Sequence, residues 1–297
     1  MGVLGAAWIA DRAVLPAMRA ARNVDVVAIA SRDPGRAALM AKAHGVPRVH
    51  DSYQALIEDD DVDAVYIALI NSLHRTWTVT ALRAGKHVLC EKPLGCTAND
   101  VRAMAAAAAE TERVLMEAFM YRFHPRIVAL REHVSTVRHL HAAFSFRVGN
   151  ATTYRLVPAL GGGALLDVGC YTLDVARWFC GEPRTVRAAM QGSPVDMSVA
   201  AVIEFASRAT ATVWASFEAP EHQRLLITTD SETVDLVEPF TAWRDPHDPY
   251  QLMAEAFADA AVGNVATPRS IDDSLRTAEL LDRVREAASG TAAPSPS

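Results

Sequence analysis

The stretch Gly2-Val3-Leu4-Gly5-Ala6-Ala7-Trp8-Ile9-Ala10, followed by Val24-Asp25-Val26-Val27-Ala28-Ile29-Ala30, decides the fold. A short apolar run ends in glycine, small residues follow, and a second apolar, β-branched run comes after them. That order predicts a buried strand, a tight turn, a helix and another buried strand. Pro16 suits the first turn of a helix over 16–22. The same alternation continues along the chain. It predicts helices over 34–44, 52–57, 73–84 and 99–111, and strands over 62–69, 87–90 and 114–117. Gly45 and Gly85 stand where helices close. Strand and helix alternate at a spacing of roughly 20–30 residues, which argues for a doubly wound parallel sheet of Rossmann type. Its crossovers are expected to be right-handed.

The pattern changes after residue 120. Residues 124–133, 165–179, 249–262 and 272–287 read as helices. Residues 140–148, 185–190, 198–205, 209–218 and 224–229 alternate as antiparallel strands do. The expected organisation is α/β at 1–120, a dinucleotide-binding Rossmann domain. An α+β domain for substrate and oligomerisation follows at 121–288, with an open, mostly antiparallel sheet. The small polar residues 289–297 are expected to form a disordered tail.

Composition narrows the function. The chain has 297 residues, is 51% hydrophobic and carries a net charge of −6, so it builds a core but no basic field for nucleic acid. No apolar run is long enough to span a bilayer, and no signal-peptide pattern is read at the N-terminus. The expected location is cytoplasmic. Cys90, Cys96, Cys170 and Cys180 form no C-x-x-C pair, and no His/Cys cluster has zinc spacing. Reduced thiols and no metal are therefore expected.

Gly5, Ala7 and Ala10 occupy the three small-residue positions of a dinucleotide-binding turn. Gly5 permits the turn, Ala7 lets the backbone approach a pyrophosphate, and Ala10 lets helix pack on strand. Taken alone, an alanine-rich turn is more often packing than binding. Trp8 and Ile9 stand at the same turn, and Trp8 either stacks on a cofactor or packs. The residues after the second strand add context. There stands Ser31-Arg32-Asp33, with no acidic residue directly after the strand. An acid would bind a ribose 2′-hydroxyl, whereas Arg32 offers a permanent charge and a planar fork of donors to a 2′-phosphate. Ser31 adds a hydroxyl. NADP(H) is expected to be preferred, with NAD(H) possible.

Four further blocks carry a resemblance. Tyr66-Ile67-Ala68-Leu69-Ile70-Asn71-Ser72-Leu73-His74 precedes Ala84-Gly85-Lys86-His87-Val88-Leu89-Cys90-Glu91-Lys92-Pro93-Leu94. Glu117-Ala118-Phe119-Met120-Tyr121-Arg122-Phe123-His124-Pro125 and the run from Gly161-Gly162-Gly163 to Asp167-Val168-Gly169-Cys170-Tyr171 follow in order. Over residues 2–220 the chain closely resembles the Gfo/Idh/MocA oxidoreductases, most of all their xylose dehydrogenase and dimeric dihydrodiol dehydrogenase branch, and also the sugar 3-ketoreductases.

The resemblance implies roles. Leu69, Asn71 and His74 would lie beside the cofactor, although His74 has the alternative of capping its helix. Glu91 and Lys92 would sit at the carboxyl ends of the parallel strands, and Pro93 would follow a cis peptide bond. Arg122 would line the cleft between the domains, as a cofactor-binding residue. Tyr171 stands where many members carry histidine. The chain is shorter than most relatives, with segments near 148–158 and 230–244 that look trimmed. The resemblance also implies pairing through the C-terminal sheet, as a homodimer or homotetramer.

The chemistry follows from residue types. Reduction of a carbonyl needs a proton donor beside the hydride donor. An unperturbed phenol has a pKa of about 10, and a nearby ammonium lowers it. Tyr171 and Lys92 therefore make a coherent acid/base pair, drawn from the two domains. Asp167 lies four residues before Tyr171, on the same helical face. It either binds substrate and tunes the pair or serves as a structural acceptor. Gly161-Gly162-Gly163 reads as a turn near the pocket, since no charged phosphate reader follows it.

The expected activity is hydride transfer between NADP(H) and a sugar, polyol or dihydrodiol. Two alternatives belong to other classes. One is a regulatory protein that senses NADP(H) without turnover, which has no need of an acid. The other is a family hydrolase with tightly bound NAD, which gains nothing from Arg32.

Overall fold

The computed structural model describes residues 1–149, 153–244, 246–263 and 265–290. It divides into two compact units. The first comprises Met1–Gly95, Asn99–Pro125 and Ala242–Leu275, and the second comprises Cys96–Ala98, Arg126–Thr241 and the chain from Arg276 onward. A single cut near residue 120 does not describe the return at Ala242–Leu275.

The first unit is built on strands β1 (Gly2–Leu4), β2 (Ala28–Ala30), β3 (Arg48–His50), β4 (Ala64–Ile67), β5 (His87–Glu91) and β6 (Leu115–Ala118). All pairings are parallel, and the order is β3-β2-β1-β4-β5-β6. Val3, Leu4, Ile29, Val65, Ile67, Val88 and Leu89 are fully buried. That accounts for unbroken apolar runs where an exposed face would demand alternation. Each such aliphatic side chain contributes roughly 1.5–3 kcal/mol by leaving water. The order reverses between β1 and β4, and ligands of such sheets bind beyond the carboxyl ends at that point.

Helices α1 (Leu15–Ala20), α2 (Pro34–His44), α3 (Tyr53–Ile57), α4 (Asn71–Arg83) and α5 (Ala98–Thr111) separate the strands. A π-helical turn at Ala10–Val14 leads into α1. Val24, Val26 and Val27 belong to the apolar run but lie outside the ladder. β1 has only three residues to offer, and its register pairs Gly2 with Ala28. β3 was not expected, because Arg48-Val49-His50 is a polar edge strand held by backbone pairing.

The second unit contains α6 (Pro125–His133) and β7 (Val137–Ser145). A π-helical turn at Leu165–Gly169 runs into α7 (Cys170–Cys180). Five strands follow: β8 (Pro183–Gln191), β9 (Ser198–Phe205), β10 (Thr210–Ser216), β11 (His222–Thr229) and β12 (Thr233–Val237). The sheet order is β12-β11-β7-β10-β9-β8. Only β7 and β10 pair in parallel, so the mostly antiparallel expectation holds. Leu140, Ala142, Ala211, Ala215, Ile203, Leu225 and Ile227 fill the packed face. His139, His141, Thr210, Thr212 and Arg224 alternate with them on the other face.

Helix α8 (Pro249–Ala261) belongs to the first unit, and its Met253, Ala254 and Phe257 are fully buried. The chain passes into the second unit within α9 (Ile271–Gly290). Ser289 and Gly290 are thus the end of a helix, and the rest of the expected tail, 291–297, lies outside the described residues. Among the described residues no helix is long and apolar enough to cross a membrane.

Candidate active site

The turn after β1 is fixed by backbone contacts. Gly5 has φ of +107°, and its N–H donates to the Ala30 carbonyl at 2.8 Å. A Cβ on Gly5 would lie 2.4 Å from the Ala68 carbonyl oxygen, so glycine is required twice over. Ala6 is buried, Ala7 and Ile9 are half-buried, and Trp8 is exposed. The first N–H groups of the helix that begins here have no partner within the helix. They form the positive end that accepts a pyrophosphate in dinucleotide folds.

At the end of β2, Ser31 is buried and Arg32 is exposed, with no ion pair for Arg32 among the described residues. Asp33 accepts the Arg36 N–H at 3.0 Å, as the N-cap of α2. Its carboxylate is therefore committed to the helix. Arg36 was not singled out from the sequence. Its Nη2 reaches back to the Ala6 carbonyl at 2.5 Å, tying α2 to the glycine turn. Two arginines four residues apart thus flank this end of the strand, and that spacing was the available signal. Small residues at the turn and two cations beside β2 fit a dinucleotide with an extra phosphate.

The second cluster surrounds the end of β5. Lys92 is half-buried, and the Lys92–Pro93 peptide bond is cis. Glu91 accepts the Tyr66 hydroxyl at 2.7 Å and the Lys92 N–H at 3.2 Å. Burial raises the Glu91 pKa above the ordinary carboxylate value. His74, fully buried, places Nδ1 at 2.8 Å from the Pro93 carbonyl and Nε2 at 3.0 Å from that of Leu69. A neutral ring has one N–H and serves only one of these carbonyls as donor. A second proton would serve both, yet burial lowers the pKa of His74, and the charge of Lys92 acts in the same direction. Asn71 is buried at the start of α4, and Leu69 is half-buried before it.

A buried ion network supports the same turn. The Leu94 N–H donates to Glu117 Oε1 at 2.8 Å. Glu117 Oε2 accepts from Arg269 Nη2 at 2.8 Å and Nε at 3.1 Å. Arg269 is 1% exposed, and its guanidinium carbon lies 4.7 Å from the centre of the Phe119 ring. Asp273 accepts from Arg269 at 3.0 Å and from Arg122 at 2.6 Å. Arg122, a predicted site residue, is thus a buried member of this network. Arg269 and Asp273 went unnoticed in the sequence because they lie some 150 residues from Glu117.

The second unit holds Tyr171 on the first turn of α7. Its ring packs against Phe144 of β7 and Phe240, with centroids 5.5 and 5.3 Å away. Asp167 sits in the preceding π-helical turn and is buried. Its Oδ2 accepts from Arg155 Nε at 2.6 Å. Burial, the largest single influence, pulls the Arg155 pKa down, but the Asp167 charge, Tyr154 and the hydrogen bond to Asp167 together outweigh it, and the net shift is upward. Arg155 was another residue missed in the sequence.

The glycine triplet holds Arg155 in place. Gly163, at φ +117°, donates its N–H to the Arg155 carbonyl at 2.9 Å. A Cβ on Gly162 would meet that carbonyl at 2.5 Å, and one on Gly163 would meet Asp196 Oδ1 at 2.1 Å. Asp196 also accepts the Leu165 N–H at 2.6 Å and so caps the start of the helix bearing Asp167 and Tyr171. Among the described residues none of the four cysteines forms a disulfide, and no group of metal-binding side chains occurs.

The comparisons agree with this architecture. Residues 1–119 match the oxidoreductase family with an NAD-binding Rossmann fold, and residues 131–234 match the GFO/IDH/MocA C-terminal domain. The chain belongs to the Gfo/Idh/MocA oxidoreductase family. It is 38% identical to D-xylose 1-dehydrogenase (NADP(+)) 2 of Haloferax volcanii, over 98% of each chain. A 3-ketoreductase from Actinomadura kijaniata, solved with NADP and TDP-benzene, superimposes with a TM-score of 0.85 at 31% identity, over 96% of each chain. An aldose-aldose oxidoreductase from Caulobacter crescentus, solved with glycerol, gives 0.84 at 25% identity, over 97% of each.

Proposed function

We propose that the protein is an NADP(H)-dependent dehydrogenase or reductase of sugars or polyols, with Lys92 and Tyr171 as its acid/base pair. The observation that carries this reading is the support built around Lys92. Three separate devices hold the turn at residues 91–94: the Glu91–Tyr66 bond, the His74 imidazole on the Pro93 carbonyl, and Glu117 on the Leu94 N–H. A surface lysine needs no such framework, whereas a lysine that acts in catalysis does. The relatives' NADP-dependent xylose dehydrogenase and 3-ketoreductase activities support the substrate class and the cofactor.

The division of labour follows from the side chains. Gly5, Ala7 and the helix start receive the pyrophosphate, with Trp8 and Ile9 flanking it. Ser31, Arg32 and Arg36 hold the adenosine end, where a guanidinium fork matches a 2′-phosphate. Leu69, Asn71 and Lys92 hold the nicotinamide end. Bound NADP supplies the hydride acceptor or donor. In oxidation Tyr171 Oη takes the proton of the substrate hydroxyl, and in reduction it returns that proton to the alkoxide oxygen. The Lys92 ammonium stabilises the phenolate that alternates with the phenol. Asp167, paired with Arg155 and four residues before Tyr171, contacts the substrate hydroxyls or tunes the pair.

The test is turnover. Wild-type protein is expected to reduce NADP⁺ with at least one member of a panel of aldoses and polyols, and K92M and Y171F to lose that activity with the fold retained. Full activity in either variant rejects its assigned role. Assembly as a dimer or tetramer through the open face of the second sheet belongs to the same proposal, and sedimentation analysis tests it.

A further inference from the structure

We propose that Arg155 is a substrate-anchoring residue, whose two terminal guanidinium nitrogens bind a carboxylate or phosphate group carried by the sugar. The inference deepens the proposed function and rests on the reading that substrate lies on the Tyr171 side of the second unit.

Arg155 is held through its backbone carbonyl, its Nε and the faces of two aromatic rings. Its carbonyl accepts the Gly163 N–H, and glycine is the residue that fits at 162 against that carbonyl. Its Nε is bound to Asp167 at 2.6 Å. Its guanidinium carbon lies 5.1 Å from the centre of the Tyr154 ring and 5.8 Å from that of Phe146. Phe146 lies two residues beyond Phe144, which packs on Tyr171, so the two rings share one side of an extended segment. Asp167 in turn precedes Tyr171 by four residues. Charge and ring contacts therefore hold the guanidinium, and backbone contacts hold the residue that carries it, with Asp167 linking it to the helix of the predicted acid.

The Nη1 and Nη2 groups are the remainder. They have no hydrogen-bond partner among the described residues, and the side chain is 36% exposed. Two coplanar donors side by side match two oxygens of a carboxylate or phosphate, whereas a single hydroxyl uses one of them. Asp167 cancels much of the long-range field, so selection rests on the short-range fork. A held arginine also loses little conformational freedom when it binds.

Calorimetric titration in saturating NADP⁺ tests this with D-glucuronate, D-glucose 6-phosphate and D-glucose. The three share a ring and differ at one carbon. Wild-type protein is expected to bind one of the anionic sugars roughly tenfold tighter than glucose. The arm that gains identifies carboxylate or phosphate. R155M is expected to erase the preference for the anionic sugar over glucose, and R155K to restore part of it. Since R155M takes away the guanidinium that balances Asp167, R155M/D167N serves as a charge-balanced second variant with the same expected loss of preference. An unchanged preference in both variants overturns the proposal, as does a wild type without preference. Turnover of neutral sugars together with no anion preference rejects this inference alone. Neither binding nor turnover of any sugar rejects the proposed function as well.

Discussion

Arg269 and Glu117 meet as a buried ion pair, Nη2 to Oε2 at 2.8 Å, and the other oxygen of Glu117 holds the backbone of Leu94, two residues past Lys92. Removing one charge of such a pair strands the other in a dry interior. R269M is therefore expected to lower the free energy of urea unfolding by about 3–5 kcal/mol. R269M/E117Q removes both charges and keeps an acceptor for Leu94, so it is expected to recover most of that loss. Equal stability of wild type and R269M contradicts the pairing.

Gly5 is required by conformation and by space. G5A is expected to cost about 2–3 kcal/mol, because it combines a positive φ with a collision at the Ala68 carbonyl. It is also expected to weaken NADP(H) binding. G45A is the matched control, at φ +70° with nothing within 4 Å of a new Cβ. It is expected to cost only about 1 kcal/mol and to leave cofactor binding intact. Denaturation curves and cofactor titrations separate the two cases.

His74 links stability to pH. Burial depresses its folded pKa below the ordinary 6.5, so the unfolded chain takes up a proton first as pH falls. The stability that the neutral ring contributes is present above about pH 6.5 and is lost as pH drops through the folded value. H74Q does not titrate. Between pH 7.5 and 5.5 the stability difference between wild type and H74Q is expected to shift in favour of H74Q. A constant difference across that window removes His74 from the account.

The adenosine end is tested by cofactor choice. R32A is expected to raise KM for NADPH by at least about tenfold and to change KM for NADH little. R36A is expected to weaken both cofactors, since it releases the Ala6 carbonyl at the turn that both share. Equal effects of R32A on the two cofactors would discard the 2′-phosphate assignment.

Much of the fold was legible because buried parallel strands carry their signal in unbroken apolar runs such as Ala64 to Ile70. The edge strands β3 and β12 were not, since β3 is mostly polar and β12 has only five residues with Asp235 at their centre, so neither carries such a run. The turn at Gly5 and the cis bond before Pro93 were foreseen from local sequence and from the resemblance. Arg269, Asp273 and Arg155 were not. Their roles come from contacts with Glu117, Arg122 and Asp167 that the fold creates, and no local pattern around a single arginine announces an ion pair. The glycine triplet was legible as a turn, but its task of seating the Arg155 carbonyl was visible only in three dimensions.

The most direct measurement is kcat for NADP⁺ reduction with the best substrate of the aldose and polyol panel, taken on wild type, K92M and Y171F, alongside NADPH affinity for each. The account predicts a loss of about 10²–10⁴-fold in kcat for both variants, with NADPH affinity still measurable and the unfolding transition unchanged for Y171F. Turnover within a few fold of wild type in both variants would contradict it.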